Sequence, residues 1–85
     1  MVIITKRKLL EFIATDTLSK DSMLKWYHEV QQCDWEDIHD VKRTFRNTDY
    51  IGNDRFVFNV SGNKYRIVAM IHFSTRTLYI RFVGN

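Results

Sequence analysis

The stretch DRFVFNVSGNKYRIVAMIHFSTRTLYIRFV, residues 54–83, decides the fold of this chain. It holds three runs rich in Val, Ile, Phe and Tyr, the residues that suit a pleated, half-buried surface: Arg55–Val60, Lys64–Phe73 and Thr77–Val83. Ser61-Gly62-Asn63 separates the first two runs, and Gly62 can take the positive φ that a three-residue hairpin loop requires. Ser74-Thr75-Arg76 separates the other two without a Gly. The stretch therefore predicts a three-stranded antiparallel meander.

Alternate residues of a strand point to opposite faces, which divides this predicted sheet into a core face and an outer face. The core face is apolar and consists of Phe56, Phe58, Val60, Tyr65, Ile67, Ala69, Ile71, Phe73, Leu78, Ile80 and Phe82. The outer face mixes polar and smaller apolar residues: Arg55, Val57, Asn59, Lys64, Arg66, Val68, Met70, His72, Thr77, Tyr79, Arg81 and Val83. No Asp or Glu follows Asp54. Two interpretations stay open, a solvated face with cations that protect its edges and a groove for a polyanion.

Length and composition predict a single domain over residues 1–85, because 85 residues with 45% hydrophobic content can fold around one core. No apolar run approaches the roughly 20 residues that span a bilayer. The amino terminus, MVIITKRK, places apolar residues before charges, the reverse of a secretion signal. The single cysteine, Cys33, excludes an internal disulfide and suits a reducing cytosol. We therefore expect a cytoplasmic protein.

The net charge of +3 is unevenly distributed along the chain. Residues 1–45 carry seven Lys or Arg against eight Asp or Glu, and residues 46–85 carry six against two. The amino-terminal part is thus at −1 and the carboxy-terminal part at +4. A basic sheet region attached to a slightly acidic helical region favours nucleic acid as a partner on the sheet side.

Apolar spacing and capping residues predict three helices before the meander. The first runs from about Lys6 to Ala14 and is capped by Thr5, and the second ends near Gln32 and is capped by Ser19 or Asp21. Asp34 is the expected cap of the third helix. The inward-facing residues are Leu9, Phe12, Ile13, Met23, Trp26 or Tyr27, Val30, Ile38, Val41 and Phe45. Short strands are possible at Val2–Ile4 and Asp49–Ile51, so the chain is predicted to be an α+β two-layer domain.

Other candidate sites have weaker support in the sequence. His28, Cys33 and His39 have spacings that match neither one helical face nor a zinc-finger pattern, so we predict no metal and no cofactor. Cys33 lacks the cationic neighbours that produce a reactive thiolate, and core packing is the simpler interpretation. Trp26 and Trp35 are expected in or beside the core, although an exposed Trp35 could contact a partner.

The segment IGNDRFVFNVSGNKYRIVAMIHF, followed by LYIRFVG, resembles the HigB-type toxins of bacterial toxin–antitoxin systems, within the RelE-like superfamily. The string FN-x-x-GN-x-YR-x-V is its specific part, and the opening VIITKRKLLEF and the central LKWYHEV, DW and DIHDVKRTF are similar to the family's amino-terminal half. The resemblance implies a twisted antiparallel sheet with helices on one face. It also implies a cytoplasmic, metal-independent endoribonuclease that cleaves messenger RNA, typically on the ribosome, until a helix-turn-helix antitoxin neutralises it.

RNA cleavage of this type uses the 2′-hydroxyl to attack the adjacent phosphate. The resemblance implies that Arg66, in the YR pair, and Arg81, in IRFVG, are catalytic arginines that neutralise charge in the transition state. The predicted RNA-binding residues are Arg55, Asn59, Asn63, Lys64 and Tyr79. Family members usually continue beyond FVG with a tail like T-H-x-x-Y-D that belongs to the active site, and this pattern is not present here.

Two functions therefore stay open: an endoribonuclease toxin weakened by the lack of this tail, and a non-catalytic module that binds RNA or an antitoxin on the same fold. His72, on the outer face, is the only nearby substitute for the acid–base residue, and His is chemically suited to that role.

Overall fold

The computed structural model describes residues 1–85. The elements in chain order are β1 Val2–Ile4, α1 Lys6–Thr15, a 3-10 turn Thr17–Ser19, α2 Lys20–Gln32, α3 Ile38–Thr44, β2 Thr48–Gly52, β3 Arg55–Val60, β4 Tyr65–His72, a second 3-10 turn Phe73–Thr75 and β5 Thr77–Gly84. The predicted α+β class is therefore correct. No helix is long and apolar enough to cross a membrane.

The five strands form one sheet in the order β1-β5-β4-β3-β2. Strands β2 to β5 form an antiparallel meander, as predicted for its last three strands. Strand β1 pairs in parallel with β5, with Val2 opposite Thr77 and Ile4 opposite Tyr79. The sheet is thus mixed, which corrects the expectation of a wholly antiparallel sheet. A parallel pair needs a long connection between its strands, and here the helices and the other three strands supply it.

The helices cover one face of the sheet and form the core with it. Every predicted core-face residue from Phe56 to Ile80 is buried except Phe73, which is half-buried against the core. The Phe58 ring is central to this core, since the rings of Trp26, Trp35 and Phe45 pack within 5.3 to 6.2 Å of its centroid. Trp35 is only 2% exposed, and its Nε1 donates to Thr44 Oγ1 at 3.0 Å. The alternative of Trp35 as an exposed partner contact is therefore wrong.

A β-bulge in β5 overturns one part of the face assignment. Ile80 pairs with Ala69 and Phe82 pairs with Val68, so Arg81 is an extra residue without its own partner on β4. The extra residue reverses the alternation that follows it. Phe82 was predicted in the core and is instead 52% exposed, whereas Val83, predicted on the outer face, packs against the core.

The helix caps also differ from the prediction, and Ser19, at the N-cap of α2, makes no capping hydrogen bond with its side chain. Thr5 has a left-handed backbone (φ 71°), and its side chain makes no capping hydrogen bond to α1. Asp37, not Asp34, caps α3, because Asp37 Oδ1 accepts from the Asp40 N–H at 3.0 Å. Asp34 Oδ1 accepts instead from Arg76 Nε at 2.6 Å. This ion pair connects the segment before α3 to the turn before β5.

The loop between β3 and β4 contains the predicted left-handed glycine, Gly62, with φ 60°. Val60 pairs with Tyr65, so the loop has four residues, 61–64, rather than three. Ser61 and Asn63 are left-handed as well. Between β2 and β3, the two-residue turn Asn53-Asp54 has positive φ at both positions, which matches the right-handed twist of the flanking strands.

Candidate nucleic-acid interface

The outer face of the sheet is not covered by any helix, and its cations have no ionic partners within the chain. The ion pairs of the structure use Arg7, Arg43 and Arg76. Arg55, Lys64, Arg66 and Arg81 are exposed and take part in none of them. Their positive charges are therefore available to an external anion.

One end of this face is organised around Arg66. Arg66 on β4 lies between Asn59 on β3 and Gly84 on β5, because it pairs with both positions. The side chain of Asn59 is partly engaged, since its Nδ2 donates to the backbone oxygen of Asn47 at 3.0 Å. Asn63 and Lys64 belong to the loop that leads into β4 at this same end. We call Asn59, Asn63, Lys64, Arg66, Phe82 and Gly84 the Arg66 end.

The bulge adds an aromatic ring to the Arg66 end. Phe82 and Gly84 follow the bulge two residues apart and share the outer face. A Cβ atom built on Gly84 would come within 2.5 Å of Phe82 Cζ, so the ring lies directly over the glycine backbone. Phe82 thus presents a half-exposed ring one strand away from Arg66. Sequence reasoning missed this residue, because nothing in LYIRFVG signals a bulge.

His72 lies at the opposite end of the sheet. It is six residues from Arg66 on the same strand, which separates their Cα atoms by about 20 Å at the usual strand rise. The His72 ring packs edge-on against Tyr79, with centroids 5.4 Å apart. Arg55 is at this end too, since Arg55 and Tyr79 both pair with Met70. The structure therefore does not bring His72, Arg55 or Tyr79 together with Arg66.

Arg81 lies between the two ends, at the bulge. It is three residues from Gly84, or about 10 Å along β5. With Phe82 and Val83 it lines a shallow depression whose other wall is α1, formed by Lys8, Glu11, Phe12 and Thr15. Arg81 thus faces the edge of the sheet beside α1, and no depression in the surface is shared by Arg81 and Arg66.

The middle of the outer face is apolar rather than basic. Val57 and Val68 pair across β3 and β4, Met70 pairs with Tyr79, and all four side chains are partly buried. Strand β2 adds Asp49, which pairs with Val57 on this face. The predicted cations are therefore separated, with Lys64 and Arg66 at one end of the face, Arg55 at the other end and Arg81 between them. They do not form one continuous basic groove.

The residues considered above as metal ligands or as a nucleophile do not form such a site. No three His, Cys, Asp or Glu side chains come close enough to hold a metal ion. Cys33 is half-buried, and its Sγ donates to the Glu29 backbone oxygen at 3.2 Å. Burial raises the pKa of the Cys33 thiol. The neutral thiol is therefore favoured, and Cys33 is not an activated nucleophile.

The Arg66 end combines a free guanidinium, amide groups, a lysine and an exposed ring. A guanidinium can bind a phosphate through two parallel hydrogen bonds and stabilise added negative charge. An exposed aromatic ring can stack on a nucleobase. No His, Cys, Asp or Glu belongs to this end, so the arrangement offers binding and charge stabilisation, and Lys64 is its only side chain of a type that serves in proton transfer.

The chain matches the family model HigB_toxin, described as the RelE-like toxic component of a toxin–antitoxin system, over residues 19–85. The matched segment includes α2, α3 and the whole meander, and therefore every residue of the Arg66 end. No curated protein matches the chain.

Proposed function

Because this chain belongs to the HigB toxin family, the RelE-like toxic components of toxin–antitoxin systems, we propose that it is an endoribonuclease that acts on messenger RNA at the Arg66 end. A toxin of such a system has an antitoxin as its partner. We further propose that this antitoxin is a helix-turn-helix protein, and that cleavage takes place on the ribosome. No metal or cofactor is required in this proposal.

The observation that carries the proposal is the setting of Arg66. It is an exposed arginine without an ionic partner, flanked by Asn59 and Gly84 and adjacent to the Phe82 ring. A single-stranded RNA would place a phosphate on Arg66 and the neighbouring base on Phe82. Asn63 and Lys64 would contact the backbone on the loop side.

The reaction transfers the phosphoryl group from the 5′-oxygen to the 2′-oxygen within the RNA. The 2′-oxygen attacks the adjacent phosphorus, the bond from phosphorus to the 5′-oxygen breaks, and the 5′-oxygen takes up a proton. The 2′-hydroxyl proton must leave at the same site. Arg66 would stabilise the negative charge that accumulates on the phosphorane, a contribution commonly worth about 10²–10³ in rate.

Two protons move in this reaction, and the Arg66 end contains only one side chain of a type that transfers protons, Lys64. His72 lies about 20 Å from Arg66 along β4, too far to act on the same phosphate. Gly84 pairs with Arg66, so a residue placed shortly after this position would lie beside Arg66. The family tail with its His and Tyr occupies that place in the chain, and we propose that such a tail supplies the acid–base group.

The same observation favours a second candidate function. A surface that has charge and a stacking ring but no His, Asp or Glu can bind RNA, or an antitoxin, without cutting. In that case the chain is a binding module on a toxin fold.

Cleavage of messenger RNA on programmed ribosomes, by purified protein free of antitoxin, tests the first function. Arg66→Ala should slow whatever cleavage the unsubstituted chain shows by about 10²–10³. The matched control is Arg55→Ala, which removes the same charge from the other end of the same face and should lower affinity more than turnover. An Arg66→Ala protein that cleaves as fast as the unsubstituted chain contradicts the proposal. Tight RNA binding without any cleavage favours the binding module.

A further inference from the structure

A second group of basic side chains lies on α3 and just after it, in the helical layer. His39, Lys42, Arg43 and Arg46 line one surface depression, and no other residue contributes to it. His39, Lys42 and Arg43 lie on one side of α3 by their spacing of three and four residues, and Arg46 lies in the turn that follows the helix. Val41, on the opposite side of the helix, is fully buried in the core. We call these four residues the α3 cationic face.

Lys42 and Arg43 lie in the last turn of α3, where the helix dipole favours positive charge, and Arg46 follows the end of the helix at Thr44. Arg43 also forms an ion pair with Asp40. Lys42 and Arg46 form no ion pair, so two charges remain without a partner.

The composition of the depression indicates what kind of anion it suits. It has no hydrophobic residue in its lining. The centre of a protein–protein interface is usually apolar and poor in charged residues, whereas nucleic-acid interfaces are polar and strongly positive. Lys and Arg side chains are also hydrogen-bond donors without acceptor groups, which suits phosphate oxygens.

We propose that the α3 cationic face is a second RNA site, which binds the phosphodiester backbone independently of the Arg66 end. The inference depends on the proposed function only in that RNA is the ligand. The two sites belong to different layers of the domain: Arg66 is on the uncovered face of the sheet, and α3 packs against the other face. One RNA molecule, or two segments of a folded RNA, can therefore contact both layers.

Binding of a fluorescent 2′-O-methyl RNA, measured by anisotropy from 0.05 to 0.5 M salt, tests this proposal. Such an RNA has no free 2′-hydroxyl, so cleavage does not affect the result. Lys42→Gln combined with Arg46→Gln should make the log–log salt slope less steep by about 1.4, because each neutralised phosphate of a single strand contributes about 0.7. If the variant and the unsubstituted chain bind RNA equally well near 1 M salt, this difference in slope predicts that the variant binds roughly 25-fold more weakly at 0.1 M salt.

The matched control is Lys6→Gln combined with Lys20→Gln, which removes two exposed cations that line none of the surface depressions. If this control weakens binding as much as the α3 variant, the effect comes from net charge alone and the α3 site is wrong. Thermal unfolding of both variants verifies the fold. An α3 variant that keeps full RNA affinity but binds poly-L-glutamate more weakly shows a site for acidic protein, which also overturns the proposal.

This experiment can contradict the α3 site without contradicting the proposed function. An unaffected α3 variant, together with weaker RNA binding by Arg66→Ala, overturns only the α3 site. Cleavage that persists in the α3 variant on short RNA, with lower affinity, supports both proposals.

Discussion

Arg66 and His72 lie at opposite ends of β4, six residues apart on one face of the sheet. Their Cα atoms are separated by about 20 Å, so no single phosphate lies within reach of both side chains. His72 instead packs against Tyr79, in the group that also includes Arg55. The role of His72 as the acid–base residue is therefore not supported by its position.

A His72→Ala variant should cleave messenger RNA within about threefold of the unsubstituted chain, whereas loss of one positioned charge at Arg66 should cost about 10²–10³. The measurement is the single-turnover rate on programmed ribosomes for both variants. If His72→Ala is as inactive as Arg66→Ala, with the fold intact, the active site is at the other end of the sheet.

A chain extended after Asn85 by a segment of the T-H-x-x-Y-D type should cleave about 10²–10⁴ times faster than the 85-residue chain. The reason is that Gly84 pairs with Arg66, so the added His would start beside the phosphate site. The control is the same extension with its His replaced by Ala. Equal rates for the extended chain and this control would show that the tail does not supply the acid–base group.

Phe82→Ala should weaken binding of single-stranded RNA by about 5- to 150-fold, because stacking on an aromatic side chain contributes roughly 1–3 kcal/mol per base. Phe82→Trp should retain affinity. Val83→Ala is the matched control, since Val83 packs against the core and should lower stability more than affinity. Titration with a labelled oligonucleotide measures the effect, and unchanged affinity in Phe82→Ala would remove the ring from the RNA site.

Phe58→Ala and Ile67→Ala should each lower the free energy of unfolding by about 2–5 kcal/mol, because both remove fully buried side chains. Arg66→Ala should change it far less, because Arg66 is exposed and lies on the other face. Urea denaturation followed by tryptophan fluorescence compares the three. An Arg66→Ala chain as unstable as Ile67→Ala would contradict the assignment of the two faces.

Asp40 should make stability depend on pH in the acid range. The backbone N–H of Glu36, followed by the Arg43 guanidinium, holds the pKa of Asp40 below its ordinary value. The unfolded chain therefore binds more protons between the two pKa values, and stability rises with pH there. The contribution is complete above the unfolded pKa, near 3.9, and is lost as pH falls through the lower folded pKa.

Urea denaturation between pH 2 and 5 measures this contribution. Asp40→Asn should flatten the rise of stability with pH, and Arg43→Gln should flatten it in part, because it removes one of the causes of the low Asp40 pKa. A chain whose pH dependence is unchanged by Asp40→Asn would show that other carboxylates produce it.

The sequence alone determined the α+β class, the strands of the meander, the buried face from Phe56 to Ile80 and the left-handed glycine at position 62. These features depend on local signals. Alternation of apolar residues shows which side of a strand is buried, and a glycine in a short loop shows where the backbone needs a positive φ. Arg66 was likewise assigned to the exposed face from alternation alone, and the structure agrees.

Tertiary structure alone decided how the candidate site is assembled. The bulge at Arg81 depends on how β5 pairs with β4, and one extra residue moved Phe82 from the predicted core to the outer face beside Arg66. Asp34 forms an ion pair with Arg76, 42 residues away, and Asp37, directly before Ile38, caps α3. Strand register and long-range ion pairs join distant parts of the chain. Local residue preferences contain no information on either, which is why the exposed position of Arg66 could be predicted but the neighbours of Arg81 and Phe82 could not.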